Sequence, residues 1–293
     1  MRLAEIERHV ASMEELQGIV GAMRAIASMR MQEAVRALPS VRDYGSTIAE
    51  AVHDALAIVD EGARQTVFDG DGQSVATRAP APRTAGRAIL LFAGEHGFVG
   101  GFNQRLIEAV ESDLTRTDAL MIVGSRGASF AAERGHVATW WHPLATRLAG
   151  ITDTVRVLED ALLPRISREE VVRADAVFGR YSRSGEIAIE RRQLFPLRLE
   201  AASAAPRGLA PLHDLPAPQL LEKLTTEYML AQLTEAAIEA LAAENAARFA
   251  AMESARDNIG RKLQTLRLDA SRARQEEVTA ELLDLITGEQ ALV

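Results

Sequence analysis

Apolar residues return at every seventh position along the first part of the chain: Ile6, Met13, Val20, Ala27, Ala34 and Val41. A second series, Leu3, Val10, Gln17, Arg24, Met31 and Leu38, is apolar at four of its six places. The two series interleave at alternating steps of three and four, which is the seam of a coiled coil. They predict one long amphipathic helix over roughly the first 58 residues. Gly18, Gly21 and Gly45 weaken that helix, and Pro39 predicts a kink or a break within it.

The periodicity vanishes from Gly62 to Gly86. Asp69-Gly70-Asp71-Gly72 and Ala79-Pro80-Ala81-Pro82 mark this stretch as an exposed, flexible connection. From 87 to 200 the pattern alternates between strand and helix. Strands are expected at Ala88–Phe92, Ala119–Val123 and Val137–Trp141, with helices at Asn103–Leu114, Ser125–Arg134 and Thr152–Ile166. Ala174–Tyr181 and Ile187–Leu194 read as a closing hairpin that turns at Ser184-Gly185. Strands separated by helices imply a parallel sheet with helices on its faces.

A proline-rich linker, 201–218, sets this domain off from a second long helical stretch, 219–293. Gln219–Thr287 contains no proline, and Ile238, Asn245, Met252, Ile259, Leu266 and Ala273 again recur at seven-residue intervals. About 68 helical residues at ~1.5 Å each would span on the order of 100 Å. A helix with a narrow apolar seam cannot bury it alone. The expected organisation is therefore a coiled-coil helix at 1–61, a connection at 62–86, an α/β domain at 87–200, the linker, and a coiled-coil helix at 219–293. The fold class that follows is α/β plus a long antiparallel coiled coil, with two long terminal helices flanking a Rossmann-like α/β domain.

Composition sharpens this picture. Aromatics are only 4% of the chain while small and straight-chain residues abound, which favours close helix packing. The formal charge of −8 disfavours a general nucleic-acid binder. The positive charge is almost all arginine, Lys223 and Lys262 being the only lysines. Without cysteine there is no disulfide, thiolate metal site or cysteine nucleophile. Glu5, Glu7, Arg8 and His9 interrupt any signal-like apolar run, and no stretch approaches the ~18 apolar residues of a membrane span. Membrane association is expected only through partner proteins.

Candidate chemistry is sparse. The loop Gly94-Glu95-His96-Gly97-Phe98-Val99-Gly100-Gly101 lies between a strand and a helix, where dinucleotide and phosphate binders place theirs. Its first glycine spacing misses Gly-x-Gly-x-x-Gly, no Lys-Ser/Thr pair follows, and the second strand ends in Gly124 rather than in an acid. Gly97, Gly100 and Gly101 are read instead as a tight structural turn that needs positive φ and close backbone contact. His9, His53, His96, His136, His142 and His213 show no ligand-pair spacing, and no nucleophile elbow or distinct catalytic carboxylate pair is present. Catalytic, cofactor and metal residues are accordingly expected to be none. Arg30, Arg36 and Arg42 read first as a solvated row, and of the pair Trp140-Trp141 one ring should face outward to a partner or helix.

Several segments resemble one family, the gamma subunits of F-type ATP synthases. Gly97-Phe98-Val99-Gly100-Gly101-Phe102-Asn103 is similar to the family's Gly-Leu-Cys-Gly-Gly-Phe-Asn. Ile19 to Arg30 resembles its Ile-Thr-Lys-Ala-Met-Lys-Met-Val-Ala-Ala-Ala-Lys, and Arg248 to Met252 with Asp257-Asn258 resembles Arg-Met-Val-Ala-Met and Asp-Asn. The most specific likeness is Ala273-Arg274-Gln275, then Val278-Thr279, Glu281, Asp284 and Gly288, to the family's C-terminal signature. Gly21, Gln32, Glu95, His96 and Glu289 depart from the pattern, which points to a divergent branch such as the N-type ATPases of some bacteria.

The resemblance implies a non-catalytic central-stalk rotor inside a ring of three alpha and three beta subunits. The tip, formed by Met1 to Leu3 and Leu285 to Val293, would turn in an apolar sleeve, and the α/β domain would touch the epsilon subunit and the c-ring. Partner contacts carried over by the matching motifs are Met23, Arg24, Arg30, Arg248, Arg274, Gln275, Thr279 and Glu281. The implied location is peripheral, on the cytoplasmic face of the bacterial cell membrane, with proton or sodium movement coupled to ATP synthesis or hydrolysis. Two other classes compete: a nucleotide-binding α/β domain with helical arms, resting on the glycine loop, and an unrelated cytoplasmic coiled-coil scaffold.

Overall fold

The computed structural model describes residues 3–58, 86–182, 184–197 and 214–290, with backbone alone at 217, 281 and 284–290. The expected connection up to residue 85 and the linker from 201 to 213 lie outside the described residues, as do Met1, Arg2 and 291–293 of the expected tip. Helix α1 is Leu3–Ile58 and strand β1 is Gly86–Phe92. There follow α2 (Phe102–Glu111), β2 (Ala119–Val123), α3 (Ser125–Glu133), β3 (Trp140–His142), α4 (Ile151–Ser167), β4 (Val171–Tyr181), β5 (Ile187–Phe195) and α5 (Ala217–Gln290). By contact the chain divides into two compact units: Met1–Ala27 with Arg248–Val293, and Ser28–Ala247.

In the larger unit the five strands lie in the order β3-β2-β1-β4-β5. β1 pairs parallel with β2 and β4, β2 pairs parallel with β3, and β4–β5 is the antiparallel hairpin. The expected turn is present, with the Gly185 N–H donating to the Ser182 carbonyl. Alternation along β1 divides its side chains between two cores. Ala88, Leu90 and Phe92 face one with α4, α1 and α5 residues, while Ile89 and Leu91 face the other with α2 and α3. A central strand buried on both faces explains its unbroken apolar run.

α5 explains the abundance of alanine. Every residue from Glu235 to Ala247 is buried, and seven of these thirteen are alanine. A helix covered on all sides needs small side chains wherever neighbouring backbones approach. Its polar members in this run, Glu235, Glu239, Glu244 and Asn245, are all engaged with partners.

Two sequence expectations are corrected. α1 runs through Pro39 unbroken, because Pro39 sits on the exposed face, where water can serve the carbonyl that loses its partner. The third strand is Trp140–His142 rather than Val137–Trp141. Val137 points into solvent, and Thr139 already spends its N–H and its hydroxyl on the Leu120 carbonyl before the ladder begins.

At the start of β1 a charge network ties three elements together. Arg87 donates to Asp113 (3.1 Å) and Asp118 (3.0 Å), and Arg191 of β5 donates to Asp113 (3.1 Å). The Arg191 guanidinium, helped by Arg87, holds the Asp113 carboxyl down at about 2. The unfolded chain therefore takes up this proton first as the pH falls, so the stabilisation is complete above the ordinary carboxylate range and is lost towards pH 2. Asp113→Asn should be less stable than the native chain at pH 7, and the two should converge between about pH 4 and pH 2 in denaturant titrations.

In the smaller unit the heptad seam is real. Ile6 and Ala27 of α1 and Met252, Leu263 and Leu266 of α5 are buried, with Val10, Met13, Val20, Ile259 and Ala273 half-buried between them. Ion pairs cross it antiparallel: Glu7–Arg274 (2.6 Å), Glu14–Arg267 (2.6 Å) and Arg24–Glu253 (2.6 Å).

Candidate functional site

The carboxyl ends of the parallel strands are where an α/β sheet ordinarily takes a ligand. Here that crevice holds the chain's own carboxylates. Glu244 of α5 accepts hydrogen bonds from the backbone N–H groups of Glu95 (3.1 Å) and His96 (3.2 Å). Glu95 in turn accepts from the N–H and hydroxyl of Ser125, at the start of α3, and from the N–H of Leu144. Two carboxylates thus occupy donors that a phosphate would need, and they bind the glycine loop, α3 and the segment after β3 into one piece.

The loop itself is built as a turn. Gly100 takes φ +55° and Gly101 precedes α2, while the Asn103 side chain reaches back to accept from the Gly94 N–H (2.8 Å). Close backbone contact, expected at Gly97, Gly100 and Gly101, is found elsewhere, because a Cβ at any of those three would meet nothing within 4 Å. Contact is tight instead at Gly124, where a Cβ would lie 2.3 Å from the Ala93 carbonyl oxygen. Phe98 adopts φ +60° and is 67% exposed at the loop tip.

A second polar cluster joins α1, α5 and the hairpin within the larger unit. Arg42 binds Glu235 (2.8 Å) and Glu239, and Arg192 binds Glu235 (2.7 Å) and Glu190 (2.7 Å). Burial pushes the Glu239 carboxyl above its ordinary range despite Arg42 and Arg180, and its Oε2 has no partner. For Glu235 burial acts upward too, but the hydrogen bonds from Arg192 and Arg42 outweigh it and hold the carboxyl low. Arg42→Met should therefore cost about 2–4 kcal/mol in urea unfolding, because the buried Glu239 keeps only the more distant Arg180 (3.9 Å) and Glu235 is left to Arg192 alone. Glu239→Gln, which removes a charge that burial disfavours, should stay within about 1 kcal/mol of the native chain.

The residues singled out as partner contacts fall in different settings. Arg24 pairs with Glu253 and lies over the Phe249 ring (5.8 Å), and Arg274 pairs with Glu7, so both serve the coil itself. Met23, Arg30 and Arg248 are half-buried, and Gln275 and Thr279 are exposed, the Thr279 hydroxyl donating to the Gln275 carbonyl (2.7 Å). The side chain of Glu281 lies outside the described residues. Of the arginine row, Arg42 is an ion-pair residue rather than part of a solvated face, while Arg36 donates to Gln32 (3.4 Å). Trp140 stacks on His142 (5.9 Å) and packs on the core, leaving Trp141 as the outward ring. Among the described residues no group of three or more His, Cys, Asp or Glu side chains could hold a metal ion, and no helix is long and apolar enough to cross a membrane. Sequence reasoning missed Glu95 and Glu244 as organisers of the crevice. The available signal was a charged residue inside the alanine-rich run of α5.

Comparison with known proteins agrees across the whole chain. The family model described as ATP synthase matches residues 2–292. An ATP synthase gamma chain from Geotalea uraniireducens is 24% identical over 303 residues, covering 99% of this chain and 98% of its own. One from Frankia casuarinae is 27% identical over 305 residues, with 99% and 98% covered. Among solved structures, a chain of the Euglena gracilis mitochondrial ATP synthase (OSCP/F1/c-ring, rotational state 3) superposes with a TM-score of 0.62 at 15% identity, covering 99% of this chain and 94% of its own. A chain of the Tetrahymena thermophila ATP synthase central stalk and c-ring gives 0.57 at 14% identity, with 81% and 99% covered.

Proposed function

The chain belongs to the ATP synthase gamma-chain family, and on that footing we propose that it is the central-stalk rotor of a bacterial F-type ATP synthase. In this reading it is a non-catalytic subunit that couples c-ring rotation, driven by protons or sodium ions, to ATP synthesis or hydrolysis at the beta subunits. Its partners are the alpha and beta subunits, the epsilon subunit and the c-ring. It sits peripherally on the cytoplasmic face of the cell membrane, held there through the complex.

The observation that carries the proposal is the antiparallel coil of Leu3–Ala27 and Arg248–Gln290, tied by ion pairs at Glu7–Arg274, Glu14–Arg267 and Arg24–Glu253. A shaft acts by presenting different faces to three equivalent neighbours, so each angle favours a different conformation in each of them. That requires two helices held in register, and interhelical ion pairs, two of them here one heptad apart, set register. The sheet crevice supports a mechanical role as well, since its ligand-facing donors are engaged by Glu95 and Glu244. Met23, Arg30, Gln275, Thr279 and Glu281 are proposed as contacts with the surrounding ring, with Arg248 beside them. Arg24 and Arg274 are assigned to holding the coil.

Co-expression with alpha and beta subunits from the same genome, followed by purification, tests the proposal. The expected result is a complex holding one copy of this chain whose sustained ATPase turnover depends on it. A chain that stays soluble and alone in the presence of both subunits would refute the rotor assignment.

A further inference from the structure

The ion pairs Glu7–Arg274 and Glu14–Arg267 lie one heptad apart on both helices. One heptad further along the same antiparallel register, the facing positions are Gly21 and Gly260. Gly18 lies one turn before Gly21, and the seam positions beside them are the polar Gln17 and the half-buried Val20. Beyond this level the coil closes again through Arg24–Glu253, the buried Ala27 and the buried Met252. Before it, Leu263 and Leu266 are buried.

Glycine is required in a helix when a Cβ has no room. At Gly18, Gly21 and Gly260 an added Cβ meets nothing within 4 Å. Each glycine therefore weakens its helix about fivefold relative to alanine with no packing gain in return. Both strands of the coil carry this weakness at one level, and an ion-pair rung is missing at the same place. We propose that the level of Gly18, Gly21 and Gly260 is a soft joint, where the coil opens and bends more readily than on either side. In the rotor reading, on which this consequence alone rests, the joint lets the end of the shaft comply while the part beyond Arg24 keeps its register.

Amide hydrogen exchange on the full chain tests the joint whether or not the rotor reading holds. The native chain should show a local minimum of protection at residues 17–22 and 258–262, with slower exchange on both sides. The double variant Gly21→Ala, Gly260→Ala should fill that minimum, slowing exchange there roughly twenty-five-fold and leaving the flanking rungs unchanged. Protection that rises steadily from the free ends to Ala27, or a double variant that slows exchange evenly along the whole coil, would overturn the proposal.

Discussion

Replacing Glu244 by leucine should lower the stability of the larger unit by about 3 kcal/mol, read as a fall of roughly 10 °C in melting temperature. Glu244 is 3% exposed and is the acceptor for two successive backbone N–H groups, those of Glu95 and His96. Leucine fills the space but leaves both donors without a partner, and each stranded donor costs about 1–3 kcal/mol. The damage should spread beyond the loop, because Glu95 anchors Ser125 and Leu144 only while its own backbone is held. Glu244→Gln keeps one acceptor oxygen but turns an amide NH2 towards the other donor, so it should fall between the two. Thermal melts of the three proteins, followed by circular dichroism, give the order. Indistinguishable melts of the leucine variant and the native chain would show that these donors find other partners.

The second large effect is expected at Gly124. Its φ of +125° is a conformation that side-chain-bearing residues rarely adopt, and a Cβ there would stand 2.3 Å from the Ala93 carbonyl oxygen. That oxygen belongs to the residue directly after β1, and the Ala93 N–H is bound to the Val123 carbonyl, so neither partner can move away. Strain of about 1–3 kcal/mol and overpacking of about 1–3 kcal/mol act together in Gly124→Ala. The variant should unfold about 2–6 kcal/mol more easily in urea, by the sum of those ~1–3 terms, with an unchanged denaturant slope. Gly100→Ala is the comparison: it carries the φ cost at +55° but meets nothing within 4 Å, and it should lose about 1 kcal/mol.

Much of this architecture was legible in the sequence because it follows from periodicity. The heptad positions Ile6, Ala27, Met252 and Leu266 became the buried seam, and Ala119–Val123 became β2 with no change of boundary. The hairpin turn at Ser184-Gly185 was marked by glycine and reappears with Gly185 at φ +89°. The errors arose where a local rule met tertiary context. Pro39 reads as a breaker, but on a solvent face a long packed helix tolerates the lost hydrogen bond. Val137-Ala138-Thr139 has strand-forming residues, yet Leu120 captures Thr139 before pairing starts. Glu95 and Glu244 were illegible as a pair because they lie far apart in the chain and meet only when α5 is laid beside the end of β1. Gly127 escaped notice for the same reason: what forbids a side chain there is Ala93, whose Cβ would be 2.1 Å away.

The exposed side chains of the coil fit a shaft better than a scaffold. Leu16, Ile19 and Ile26 on α1, with Leu268, Val278, Leu282 and Leu283 on α5, are large apolar residues left open. Apolar contact has little directional preference, so a surface of this kind can slide past successive neighbours without a deep minimum at one angle.

The absence of cysteine gives the most direct test of the rotor claim. Val137 is 79% exposed beside β3, so Val137→Cys provides a single attachment point for a rotating probe without touching either core. The measurement is ATP-driven motion of that probe on a complex of this chain with alpha and beta subunits immobilised through the ring. The expected result is continuous rotation in one direction with three equivalent stops in each turn. A probe that stays still while the complex hydrolyses ATP would contradict the account.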